Sequence, residues 1–299
     1  MHDTRDTYEP SSEAHGPPPA RSPGCGSWIV IAVAVLLVMG PLLGGGLNHE
    51  LARWRIAAGL EEWLNENLSA AVAALDRAAE TAPDYPRIYE LRSQWRLYAG
   101  DYAGALADAQ RLLELAPHNA EGYRLQADAL VYLRRPAEAV ETWLKFAERE
   151  KEQRGAIQAV TLNGVAYFRA LAQSDLDTAL EEINQAIKRL GADPALLDTR
   201  GYIQYLRKEY EAALEDMDPA VIAAERQRNK LRTEQHTLVG LSVKDPRAVA
   251  WEMKLIDRNV AVIRYHRGLL FEALGRTAEA ERDFRRVREL GHEPGPALF

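Results

Sequence analysis

A small residue recurs along this chain at a fixed interval of 34 residues. Ala71, Ala105 and Ala139 follow one another at that spacing, and the same step separates Ala179 from Ala213. A period in this range is typical of stacked helical repeats, in which each unit buries its apolar face only against its neighbours. The interval therefore predicts an all-α chain built from repeated units.

Similar residues flank each of these small residues: a turn and an aromatic or apolar residue come before it, and frequently a proline comes after it. In the clearest copy, Gly100, Asp101 and Tyr102 precede Ala105, and Pro117 follows. A small residue lets a second helix approach closely, and a facing large side chain fills the remaining groove. Glycine in the turn adopts a positive φ without the steric cost that a side chain would bring.

These positions resemble the tetratricopeptide repeat family, whose unit is a pair of antiparallel helices followed by proline. The resemblance extends over roughly residues 52–292 in about six units, and the fourth unit lies 40 residues after the third. It implies an all-α, right-handed superhelical solenoid of antiparallel helix pairs over residues 48–295. The small and turn positions that carry it include Gly59, Ala71, Gly100, Ala105, Ala139, Gly164, Ala179, Gly201, Ala213, Gly268, Gly275 and Ala280.

The period fails between Ala213 and Ala280, which are 67 residues apart. Residues 210–235 and 247–274 contain few helix breakers, and an apolar face with near-helical spacing lies in the second stretch. We expect an extended helical hairpin at 221–260 that projects from the solenoid, with a degenerate repeat as the alternative. The aliphatic residues at its tip are a candidate contact, unless they fold back onto the hairpin: Leu238, Val239, Leu241 and Val243.

Residues 28–47 form a run of twenty residues without a charge. At about 1.5 Å per residue, a helix of this length crosses a hydrocarbon core of roughly 30 Å. We expect a single transmembrane helix, preceded by a disordered, proline-rich tail at residues 1–27. Two arginines lie before the run and two soon after it, so the positive-inside rule selects neither side of the membrane.

The alternative for this run is a cleaved signal peptide, with Gly44 and Gly46 at a small-residue cleavage site. Signal peptides usually begin with a short basic region. Here 27 residues precede the run and four of them are acidic. We therefore favour an uncleaved anchor.

Charge and motif content point away from nucleic acids and catalysis. The formal net charge is −7, whereas phosphate binding needs a basic face. Cys25 is the single cysteine, so no disulfide forms within the chain, and the seven histidines have no metal-ligand spacing. We expect no cofactor, no metal and no enzyme activity. The arginine-rich basic content is typical of a GC-rich bacterial genome.

The resemblance also implies where a partner binds, because the first helix of each unit in this family lines a concave groove that takes peptides. Tyrosine and arginine are frequent in interface hot spots. One subgroup of the family holds a C-terminal carboxylate with lysine and asparagine, but here the equivalent positions are Ile56, Leu60, Leu91, Glu121 and Leu125. The candidate groove residues are Arg87, Glu90, Gln94, Tyr98, Arg124, Asp128, Tyr132, Asp198, Tyr202 and Tyr205.

Together these observations predict a membrane-anchored repeat scaffold or adaptor that binds proteins through its groove or hairpin. The alternative is an accessory subunit of an envelope enzyme or export machine that handles a polypeptide substrate.

Overall fold

A computed structural model describes residues 46–240 and 245–295, without the side chains of residues 235–240. By its contacts the chain divides into Met1–Asn48 and His49–Phe299, and the repeat units belong to the second part. Within the described residues, no helix is both long and apolar enough to cross a bilayer. The expected tail at 1–27 and all but the last two residues of the expected span at 28–47 lie outside the described part.

The prediction of an all-α fold is confirmed, since every regular element in the described part is a helix. The first helix, α1, occupies residues 46–64. The others are α2 (Leu68–Thr81), α3 (Pro86–Ala99), α4 (Tyr102–Leu115), α5 (Ala120–Tyr132), α6 (Pro136–Arg154), α7 (Ala159–Ala172), α8 (Leu176–Leu190), α9 (Pro194–Leu206), α10 (Tyr210–Gly240), α11 (Pro246–Ala273) and α12 (Thr277–Glu289).

The helices form six pairs, and within a pair only two or three residues separate the two helices. The second helices α2, α4 and α6 begin at residues 68, 102 and 136, which reproduces the 34-residue period. Each helix from α2 onward packs on the next one, and α3 also contacts α5 while α7 contacts α9. Contacts between neighbouring pairs of this kind generate a solenoid.

The recurring alanines lie where the two helices of a pair meet, and those at 71, 105, 139, 179, 213 and 280 are at most 1% exposed. Glycines on the first helices serve the same close approach. A β-carbon added at Gly268 would lie 2.3 Å from a ring carbon of Phe284 on α12, and one at Gly201 would lie 2.7 Å from Met217 on α10. These distances leave no room for a larger residue.

In five of the six described pairs, the turn has a left-handed residue two positions before the second helix begins, whereas the α7–α8 turn has left-handed residues at Gln173 and Asp175. The φ angles in these five turns are +62° at Glu66, +79° at Gly100, +62° at Arg134, +64° at Lys208 and +72° at Gly275. Only two of the five are glycine, the residue that adopts this conformation without strain. The turn therefore has the same geometry in units with a residue other than glycine at this position.

Between α9 and α12 lie two helices about twice as long as the rest. Helix α10 has 31 residues and α11 has 28, whereas the other helices with both ends described have 13 to 19. The two pack on each other. Of the apolar face expected on α11, Val260 and Ile263 are buried, and Ala248, Met253 and Ile256 are partly buried.

The hairpin differs from our expectation in its direction, because the first half of α11 contacts α1 rather than projecting away from the solenoid. At the expected tip, Leu238 and Val239 lie in the last turn of α10, and their side chains are outside the described part. Leu241 and Val243 are outside it altogether. A contact at this tip remains a prediction.

We predict that Gly268→Ala lowers the free energy of unfolding by up to about 2 kcal/mol. Alanine favours a helix by about 1 kcal/mol over glycine, but overpacking costs typically 1–3 kcal/mol and the Phe284 ring must move. Urea-induced loss of helical circular dichroism, measured on the full chain in mild detergent, gives the difference. Adding Phe284→Leu should recover part of the loss, and a more stable single variant would contradict the packing argument.

Candidate functional site

The predicted groove residues lie on three first helices, α3, α5 and α9, and α3 packs directly on α5. Arg87 forms an ion pair with Glu90 near the start of α3, where both side chains reach solvent. Tyr98 lies at the other end of α3 and is 36% exposed. The predicted residues Arg124 and Asp128 of α5 form a polar cluster with Glu121.

Arg124 organises the cluster on α5. Its guanidinium donates to Asp128 at 2.5 Å and to Glu121 at 2.9 Å, within one helix face. The hydrogen bond and charge of Arg124 hold the pKa of Glu121 below its usual range. Burial raises the pKa of Asp128, although Arg124 and Arg258 both favour its ionised form. The fold therefore disfavours the ionised form of the Asp128 carboxylate in this cluster.

Four side chains of α11 face this region at successive steps of four, three and four residues, which places them on one face of the helix. Three are cationic and one is tryptophan. We call this set the α11 stripe, and its members are Arg247, Trp251, Lys254 and Arg258.

The α11 stripe contacts a surface formed by the first three units. Arg247 donates to Glu61 at 2.6 Å and to Asn65 at 2.7 Å. Lys254 pairs with Glu66 at 2.8 Å. Arg258 donates to the hydroxyl of Tyr132 on α5. We call this surface the inner face, and its members are Glu61, Trp63, Asn65, Glu66, Tyr98 and Tyr132.

Aromatic rings form the centre of this contact. The Trp251 ring stacks on Trp63 with centroids 4.2 Å apart, and Trp63 stacks in turn on Trp95 at 5.2 Å. Tyr98 meets Trp63 edge-on at 5.2 Å and Trp251 at 6.2 Å. The indole nitrogen of Trp251 donates to the carbonyl of Trp63 at 3.1 Å. Two predicted groove residues, Tyr98 and Tyr132, are thus in contact with a helix of the same chain.

The residues predicted on α9 have a different setting. Asp198 is 5% exposed, and both of its carboxylate oxygens lie 2.9 Å from Nδ1 of His266. Tyr202 stacks on the His266 ring with centroids 4.1 Å apart. His266 is fully buried. Asp198 therefore belongs to the interior, and its position differs from that of an open groove residue.

Tyr202 also borders an open cleft of about 380 Å³. Aliphatic and aromatic side chains line it, and Arg134 and Gln173 lie at exposed turns beside it. Tyr205 stacks on Tyr202 at 6.0 Å. We call this the tyrosine cleft, and its lining residues are Val131, Arg134, Pro136, Leu171, Gln173, Tyr202, Tyr265 and Leu269.

Sequence reasoning missed a set of ion pairs that recurs with a 16-residue spacing. Arg92 binds Asp108 with two hydrogen bonds of 2.9 and 2.6 Å, and Arg200 binds Asp216 with two of 2.6 Å. Arg267 binds Asp283 in the same way at 2.8 Å. Each pair joins the two helices of one unit. The available signal in the sequence was an arginine followed by an aspartate 16 residues later. These residues form ion pairs that hold the two helices of a unit together.

No group of three histidine, cysteine or acidic side chains in the described residues is arranged to hold a metal ion. Aromatic and charged side chains form the inner face, and aliphatic and aromatic side chains line the tyrosine cleft.

Comparison with known proteins supports the repeat architecture. A model of the tetratricopeptide repeat family matches residues 94–154, from the middle of α3 to the end of α6. A search of the curated proteins finds no match.

Solved structures with a similar fold cover most of the chain. PilW, described as a type IV pilus biogenesis factor, has 13% identity and a TM-score of 0.53, covering 80% of this chain and 92% of its own. RapI in its apo form has 15% identity and a TM-score of 0.55, covering 80% and 97%. A tetratricopeptide repeat protein from Parabacteroides merdae has 12% identity and a TM-score of 0.51, covering 81% and 94%. At these identities the likeness concerns the fold.

We predict that Asp128→Asn affects stability in a pH-dependent way. Because the folded pKa of Asp128 is raised, its contribution is fully present below the unfolded pKa of about 3.9 and is lost as pH rises through the folded value. The variant should therefore gain stability relative to the natural chain as pH rises. Urea titrations of the full chain at several pH values measure this difference.

Glu121→Gln is the matched control, because Glu121 lies on the same arginine but has a lowered pKa. Its contribution is present above the unfolded pKa and is lost as pH falls, so this variant should lose stability relative to the natural chain as pH rises. The stability difference between variant and natural chain should thus change with pH in opposite directions for the two variants. A change in the same direction for both would refute the raised pKa of Asp128.

Proposed function

We propose that this protein is a helical-repeat scaffold that binds a polypeptide partner on the concave side of its solenoid, and that residues 28–47 tether it to a membrane. The repeat architecture supports the first part, since solenoids present extended concave surfaces to partners. The uncharged run supports the second part by its length. The proposal gives the chain no catalytic role.

The observation that carries the proposal is the tyrosine cleft. It lies among the first helices α5, α7, α9 and α11 and the turns that follow α5 and α7. Apolar walls with a few convergent polar groups are typical of sites that bind ligands. Tyr202 and Tyr265, each 7% exposed, form an aromatic floor, and Arg134 offers a donor for carboxylates or carbonyls. An extended segment of a partner would lie between these walls.

Site-specific photo-crosslinking tests the cleft. We expect a benzoyl-phenylalanine in place of Arg134 or Gln173 to capture one partner of the same mass, because both positions are exposed at the cleft. The control position is Glu141, which is exposed on α6 and does not line the cleft. Capture of the same protein from all three positions, or of none from the two cleft positions, would count against the proposed binding site.

Membrane tethering is tested by fractionation. We expect the full chain to stay in the membrane pellet after alkaline extraction, and a chain lacking residues 28–47 to be released, because the deletion removes the uncharged run. Mass spectrometry of the N-terminus is the accompanying measurement. A mature chain that begins near residue 47 would show instead that the run is a cleaved signal peptide.

A second candidate function is an accessory subunit of an envelope enzyme or export machine. The uncharged run at 28–47 favours it, because a tether would hold the solenoid beside such a complex. PilW, whose fold is similar, is described as a pilus biogenesis factor, and this description belongs to PilW. Co-purification of many unfolded chains, rather than one stoichiometric partner, would favour the accessory role.

A further inference from the structure

The two halves of α11 are held in different ways. In the second half, Val260, Ala261 and Leu270 are at most 1% exposed and pack within the apolar core. In the first half, the Lys254 side chain is 50% exposed and Leu255 is 45% exposed. Val249 in the first half is also completely buried, and the side chains of the α11 stripe supply the contacts of this half with the inner face.

The contact between the α11 stripe and the inner face resembles a protein–protein interface in its composition. Trp251 lies at the centre of the contact and packs against Trp63 and Tyr98. Exposed charge pairs surround it, with Glu61 58% and Glu66 64% exposed. Interfaces between proteins have this arrangement of an aromatic centre and a polar rim, in which tryptophan and arginine dominate the binding energy. A single exposed ion pair adds little and is screened by salt, whereas reversing the charge in two such pairs replaces attraction with repulsion.

We propose that the inner face is a binding site for a basic, tryptophan-bearing helix, and that the α11 stripe occupies this site in the isolated chain. A partner helix of the same chemistry competes with α11 for it. This inference rests on the proposed scaffold function, and it specifies the chemistry of one partner.

The chemistry of the partner follows from the present occupant. A tryptophan packs against both Trp63 and Tyr98, and cations lie four residues before it and three and seven residues after it. The acidic rim residues Glu61 and Glu66 pair with two of these cations. An amphipathic helix that binds a groove through anchors at this spacing is an established mode of peptide recognition.

The competition favours α11 because it belongs to the same chain. An attached occupant acts at a high effective concentration, so a free helix binds weakly until that occupant is weakened. The apparent affinity of the partner is reduced by the fraction of molecules in which the inner face is free. The arrangement therefore makes binding conditional on displacement of the first half of α11.

The test uses a fluorescent peptide of residues 246–260 and the full chain in mild detergent. Fluorescence anisotropy should show at least tenfold tighter binding to the Trp251→Ala chain than to the natural chain, because the variant loses the central ring of its own occupant. The Arg247→Glu, Lys254→Glu double variant should act similarly by reversing the charges that pair with Glu61 and Glu66. This double variant keeps Trp251 and its contacts with the rings of Trp63 and Tyr98, so it provides the test if the Trp251→Ala chain does not fold.

Two controls define the site. A peptide carrying Trp251→Ala should not bind, and adding Glu61→Arg and Glu66→Arg to the Trp251→Ala chain should reduce peptide binding at least tenfold. Failure of the natural peptide to bind either opened chain, with both chains folded by circular dichroism, would overturn the inference. Crosslinking at the tyrosine cleft is independent of this result, so the proposed scaffold function would then stand or fall separately.

Discussion

The two helices of each unit meet at contacts that leave no room for a larger residue. Ala71, Ala105 and Ala139 are completely buried at these contacts, and a β-carbon at Gly268 would overlap the Phe284 ring. Helices approach this closely only where small residues face large ones, and interiors are packed too densely to absorb extra volume. The spacing of the small residues therefore determines the register of each pair, and the register determines which side chains reach the concave side.

Long-range contacts impose a second constraint on the solenoid. Helix α11 belongs to the last unit, yet Trp251 packs against Trp63, 188 residues earlier, and Arg258 contacts Tyr132, 126 residues earlier. Most repeat units touch only their neighbours, so their stability is nearly a sum of local terms. Here the extra length of α11 joins the last unit to the first. This link couples the occupancy of the inner face to the position of the long hairpin.

Much of the charge on this protein is used within the units. Asp108, Asp216 and Asp283 are each held by an arginine 16 residues earlier in the chain. A buried carboxylate requires such a partner because burial of an unpaired charge is costly. Arginine content alone is therefore a poor guide to binding surfaces in this chain. The arginines of the α11 stripe differ because they connect distant units.

The sequence by itself determined the helix pairs, their period and the long helices in the irregular interval. Those features depend on contacts between residues close in sequence, which leave a periodic pattern of small, aromatic and turn residues. The sequence also placed Arg124, Asp128 and Tyr132 on one face of a helix, and in the structure they share one face of α5. Only the tertiary structure decided the direction of α11 and the burial of Asp198 beneath His266. These depend on single pairings between residues at least 68 positions apart, and one pairing leaves no repeating pattern in a sequence.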